Sequence, residues 1–157
     1  MNAIYRTSLH TDRQEELRFI LTRSNLIVEK CRSRENLGVA APSHRLTLAL
    51  SHWPRFYEAV CCLGAFMKPL PAPAYQSRSC CSYTCAQTPE PLVLELDHQE
   101  QIHLSLQDRQ GSTFLEIKSG PSLAGNADEV HTIRIGPTVW SAFLTTLETL
   151  AQIIVEL

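Results

Sequence analysis

Two stretches decide how this chain folds: LTLALSHWPRFYEAVCCLGAF at residues 46–66 and IRIGPTVWSAFLTTLETLAQI at residues 133–153. At a constant offset of 87 positions Leu46 matches Ile133, Leu48 matches Ile135, Trp53 matches Trp140, Phe56 matches Phe143, Val60 matches Leu147 and Leu63 matches Leu150; His44 and His131 coincide as well. Before each Trp the apolar residues alternate, and after it they recur at helical spacing, so each stretch reads as a strand entering an amphipathic helix. Ser51 is the expected cap before Pro54, and Pro137 sits in the first turn of the second helix.

Upstream of each anchor the pattern repeats more loosely. LRFIL, TRSN and LIVEK in the first half correspond to IHLSL, QDRQGST and FLEIK in the second, two alternating strands joined by a polar turn. Lys30 and Lys118 fall at matching strand ends once one residue is inserted in the loop that follows. A further strand is expected at residues 3–9 and at residues 92–96. Any sheet followed by a helix resembles another, but two Trp, two Phe, two His and two basic strand ends in one order favour an internal duplication. The expected fold is therefore α+β: two repeats of a four-stranded antiparallel sheet followed by one helix. The first repeat spans residues 1–68 and the second residues 92–157. Between them residues 69–91, PLPAPAYQSRSCCSYTCAQTPEP, carry five Pro and no aliphatic periodicity, which is a linker composition.

Composition bounds the function. The chain has 157 residues, 44% hydrophobic and 19% charged, in the range of a globular domain rather than a disordered tail. The longest uncharged stretch, residues 135–147, is shorter than a membrane span, and the first 13 residues are too polar for a signal peptide, so the reading is intracellular with no membrane partner. The net charge of −2 argues against bulk attraction to nucleic acid, but it conceals an asymmetry. Ten Lys or Arg stand against six Asp or Glu in residues 1–68, giving +4, whereas four stand against ten in residues 69–157, giving −6.

Chemistry-bearing motifs are sparse. No G-x-S-x-G, P-loop, G-x-G-x-x-G or H-E-x-x-H occurs, and the six His have no sequence partner that triad logic recognises, so no enzyme is expected. Cys80, Cys81 and Cys85 with Cys61 and Cys62 do not offer two C-x2–4-C pairs, and neither a metal nor any other cofactor is expected. Cys61 and Cys62 read as small apolar residues buried on the first helix.

The second half resembles the single-stranded DNA-binding domain of the transcriptional coactivator positive cofactor four. Asp108 and Gly111 match that family's turn, Ile117 and Lys118 its Ile-Arg strand end, Ile133 and Ile135 its third strand, and Pro137 and Trp140 its Pro-x-x-Trp helix start. The first half looks like a more diverged copy. Because that family acts as a dimer, the resemblance implies that the two repeats pack as an intramolecular pseudo-dimer, as in the fold-related Whirly and Pur-alpha proteins, with further homodimerisation open. Two departures bear on function: Arg109 stands where a turn aromatic would stack a base, and Asp128 and Glu129 replace basic residues.

Binding of a single strand needs cations along the backbone and flat side chains against bases. The candidates are Arg18, Arg23, Lys30, Arg32, Arg34 and Arg45 of the first repeat, Arg109, Lys118 and Arg134 of the second, and the two indoles, Trp53 and Trp140. Solvated arginines on a small basic surface and core-packed tryptophans are the competing explanations. The leading expectation is a nuclear, single-stranded DNA- or RNA-binding protein that regulates transcription or replication alongside their protein factors. The alternative is a protein-interaction adaptor on the same fold that has lost nucleic-acid binding.

Overall fold

Leu17, Phe19 and Leu21 alternate with Glu16, Arg18 and Ile20, and this period of two sends the first set to the core and the second to the opposite side. The same alternation recurs along the other strands and builds two sheets in the computed structural model, which describes residues 2–11, 15–32, 42–67, 90–96, 100–109, 112–121 and 130–157. The first sheet is β1 (Tyr5–His10), β2 (Glu15–Leu21), β3 (Asn25–Arg32) and β4 (Pro42–Ala49), antiparallel and in chain order. A single 3₁₀ turn, Leu50–His52, leads into α1 (Trp53–Gly64). The second sheet, β5 (Leu92–Glu95), β6 (Glu100–Arg109), β7 (Ser112–Pro121) and β8 (His131–Ile135), has the same order and leads into α2 (Pro137–Val155). The expected class, α+β with two sheet-plus-helix repeats, is the class observed.

All six apolar pairs read at the 87-residue offset are buried, including both Trp and both Phe. They belong to one hydrophobic cluster that also takes in the core-facing residues of both sheets. The helices cross between the halves. α1 lies against β5 and β6 of the second sheet, while α2 lies against β1 of the first as well as its own β7 and β8. The Phe143 ring of α2 reaches the Phe19 ring of β2, with centroids 6.1 Å apart. Gly64, the last residue of α1, leaves the space that the Trp140 indole occupies.

Pairing fixes which positions of the two repeats correspond. Phe19, Val28 and Leu46 lie side by side in the first sheet, as Leu104, Ile117 and Ile133 do in the second. Five positions separate Leu21 from its partner Leu26, but nine separate Leu106 from Leu115, so the β6–β7 hairpin is four residues longer. This overturns the equivalence of Lys30 and Lys118. Lys30 opposes Leu17 and His44 on the core-facing side, whereas Lys118 opposes His103 and Thr132 on the outer side.

The edge strands β4 and β8 lie against one another. Where they meet, the Arg45 N–H donates to His131 Nδ1 and the Thr132 N–H donates to His44 Nδ1, both at 3.3 Å. His44 matches His131 and Arg45 matches Thr132 at the same offset of 87, so the contact is reciprocal. Each imidazole occupies the place of a further strand and satisfies a backbone donor on the other sheet's free edge.

Three local expectations change. Ser51 does not cap α1: it lies in the 3₁₀ turn, and the N-cap residue is His52. Cys61 and Cys62 are exposed, because the buried stripe of α1 runs through Trp53, Phe56, Ala59, Val60 and Leu63. By length and composition α2 is apolar enough to cross a membrane, since Glu148 is its one charge. Trp140, Phe143, Leu147 and Leu150 of α2 are buried in the shared core. Residues 69–89 of the linker, with Cys80, Cys81 and Cys85, lie outside the described residues, as do Arg34, Gly111, Asp128 and Glu129.

A Cβ at position 64 has to displace a buried indole, so Gly64→Ala is expected to destabilise the protein by about 1–3 kcal/mol despite alanine's better helix propensity. Urea unfolding measures it, and an unchanged or higher midpoint contradicts this seating of Trp140.

Candidate nucleic-acid interface

Both helices cover the core-facing sides of the sheets, and the outer sides carry most of the charge that the strands hold. On the first sheet the pairing lines up Ser8, Arg18, Glu29 and Arg45 in one row and Arg6, Ile20, Ile27 and Thr47 in the next. On the second it lines up Val93, His103, Lys118 and Thr132, then Ser105, Glu116 and Arg134. The β4–β8 seam brings the Arg45 end of the first row up to the Thr132 end of the second. Arg18 and Arg45 thus lie in one outer row of the first sheet, and Lys118 in an outer row of the second that ends at the same seam, with Arg134 one row along.

Each of these cations has a carboxylate beside it. Arg18 lies 3.5 Å from Glu16, and Arg45 lies 3.5 Å from Glu29. Glu116 is nearly buried and holds Arg134 at 3.0 Å and Lys118 at 3.4 Å. The cations themselves face solvent: the side chains of Arg45, Lys118 and Arg134 are 51%, 46% and 42% exposed. Their carboxylates are far less exposed, 12% for Glu29 and 9% for Glu116, so an anion meets the outward N–H groups of the cations while the carboxylates keep their pairs.

Of the remaining candidates, Lys30 is 17% exposed and bridges Glu15 at 3.8 Å on the core-facing side, away from the outer row. Arg23 is exposed at the tip of the β2–β3 turn, which Thr22 ties down by donating to the Asn25 carbonyl and accepting from the Asn25 and Ser24 amides. Arg32 is exposed at the end of β3, and Arg109 is the last residue of β6. Neither tryptophan offers a stacking face, because Trp53 and Trp140 are 5% and 6% exposed and pack on Phe56 and Phe143. They are core residues, as the i, i+3 spacing allows.

Two outer-face residues escaped the sequence reading. Phe114 pairs with Gln107 on the outer side, and the Arg134 guanidinium carbon lies 5.8 Å from its ring centroid. Strand parity would have placed it there had the β6–β7 register been known. Arg6 likewise falls on the outer side of β1. His103 adds no cation at neutral pH, because burial and the nearby Lys118 push its pKa below the usual histidine value. Burial pushes the Cys31 thiol up, which makes it a poor nucleophile. Among the described residues no cluster of three or more His, Cys, Asp or Glu is placed to hold a metal.

No family model matches this chain, and no curated protein does. Among solved structures it is similar to MRP1/MRP2 of Trypanosoma brucei, with a TM-score of 0.43 and 11% identity over 97% of this chain and 88% of that one. A likeness at that level carries no argument about function, which rests here on the chain's own residues.

Trp140→Ala is expected to cost about 3–5 kcal/mol of stability in urea unfolding, as loss of a buried aromatic does. Oligonucleotide addition to the wild-type protein should leave its tryptophan emission unchanged. Strong quenching would return the indoles to the interface.

Proposed function

We propose that this protein binds single-stranded nucleic acid, DNA or RNA, across the outer faces of its two sheets. It acts in the nucleus as a non-enzymatic regulator of transcription or replication. The observation that carries this reading is the set of Arg18 and Arg45 on the first sheet and Lys118 and Arg134 on the second, in rows that end at the common seam, on the sides turned away from α1 and α2. Phosphates bind the outward N–H groups of these cations beside their carboxylates, and Phe114, next to Arg134, supplies a flat apolar surface for a base. The partnership of the two sheets as a pseudo-dimer and the resemblance to the coactivator domain belong to the same proposal.

A second reading draws on one specific observation. Glu16, Glu29 and Glu116 already neutralise most of this surface, and the second half is acidic overall. Those features suit an adaptor that docks a basic protein.

Fluorescence anisotropy with a labelled single strand of ~20 nucleotides separates the two readings. Four phosphate contacts predict a log–log salt slope of about −3, and Arg45→Ala with Lys118→Ala should reduce its magnitude by about 1.4. Glu116→Gln, which frees two cations, should tighten binding. No binding at low salt by protein with a native circular dichroism spectrum overturns the proposal in favour of the adaptor.

A further inference from the structure

We propose that His44 and His131 form a proton-operated latch on the seam between the two sheets, closed while both imidazoles are neutral and released when they take up protons. The geometry dictates the protonation state. Each Nδ1 accepts a backbone N–H from the other sheet, so each must carry a lone pair there, and the proton of the neutral ring sits on Nε2. A proton on either Nδ1 sets a donor against a donor and removes one of the two bonds. The rings lie edge to face with centroids 5.8 Å apart, so protonating both also places two cations side by side.

The surroundings oppose that charge. Facing His44 are Lys30 from β3, Glu15 from β2, and His131 and Arg134 from β8, with Arg45 its neighbour on β4. Glu15, the one carboxylate of this set, is engaged with Lys30. Burial first, and then Lys30, His131 and Arg134, push His44 below the ordinary histidine pKa of 6.5. The unfolded or opened form therefore binds the proton more tightly than the closed seam. The contribution to stability is complete above the ordinary value and is lost as the pH falls through the depressed one. Release is local, because the helices and the common core still join the two halves.

Amide hydrogen exchange by NMR, expressed as protection factors, tests the latch. Protection of the Arg45 and Thr132 amides should be flat above about pH 6.5 and fall below it, by at most about tenfold per pH unit for each proton taken up. The Phe19 and Leu104 amides in the interior strands should hold. His44→Asn with His131→Asn keeps a side-chain oxygen acceptor near the Nδ1 position without titrating, and should flatten the profile. Titration of the wild-type imidazole nitrogens gives a reading that needs no variant, with Nδ1 unprotonated on both rings at neutral pH. Flat wild-type protection, a fall shared equally by Phe19 and Leu104, an unchanged profile in the double variant, or protonated Nδ1 atoms at neutral pH would each overturn the latch.

Discussion

Everything in this structure follows from a shortage of covering material. Among the described residues each half builds a four-stranded sheet with one apolar face and supplies one helix to bury it, and a sheet must hide that face against another layer. The chain meets the shortage by sharing: α1 lies on the second sheet, and α2 spans its own sheet and the first. A half of about 65 residues on its own would bury only ~60% of its unfolded surface. Pooled, the two halves make one core in which Phe19 meets Phe143 and Trp140 fills the space above Gly64.

Sharing the helices has a consequence for the edges. With both helices on the core-facing side, β4 and β8 are brought together, although neither enters the other's ladder. Two exposed strand edges in contact would present unpaired amides to one another or to another molecule. The histidine imidazoles satisfy two of those amides instead of a continuous hydrogen-bonded ladder, so the joint between the sheets rests on side chains that titrate. Among the described residues, both helices lie on the core-facing sides, and the outer faces carry the charged rows.

The elements and the core were legible because they depend on periodicity. Trp53, Phe56, Val60 and Leu63 repeat a stripe that Trp140, Phe143, Leu147 and Leu150 share, and burial follows from that stripe in both copies. The site was less legible, because a residue's face depends on parity and one extra residue reverses it. Matching Lys30 to Lys118 required a one-residue insertion and so exchanged the two sides of the sheet. The longer β6–β7 hairpin aligns Lys30 with Ser119 instead. The same uncertainty hid Phe114. Arg18 needs no register to be assigned a face, because its parity is set locally, between Leu17 and Phe19. The coincidence of His44 and His131 was visible in the sequence, but their reciprocal bonds depend on how two distant edges meet.

Charge counted by halves misjudges the surface for a related reason. The first half holds an excess of +4, yet on its outer face Arg18 and Arg45 each have a carboxylate of their own, while Lys30 points to the core side and Arg23 and Arg32 sit at strand ends. The second half, at −6, places two cations around the single anion of Glu116 and so has a local positive excess at Arg134 and Lys118. Burying a carboxylate is costly unless it is well paired, and this one is paired twice. Glu116 therefore positions two cations on the outward face at fixed spacing without cancelling both. The outer face thus carries a modest net charge in a definite pattern, and binding of the proposed kind would draw on register along the strand more than on long-range attraction.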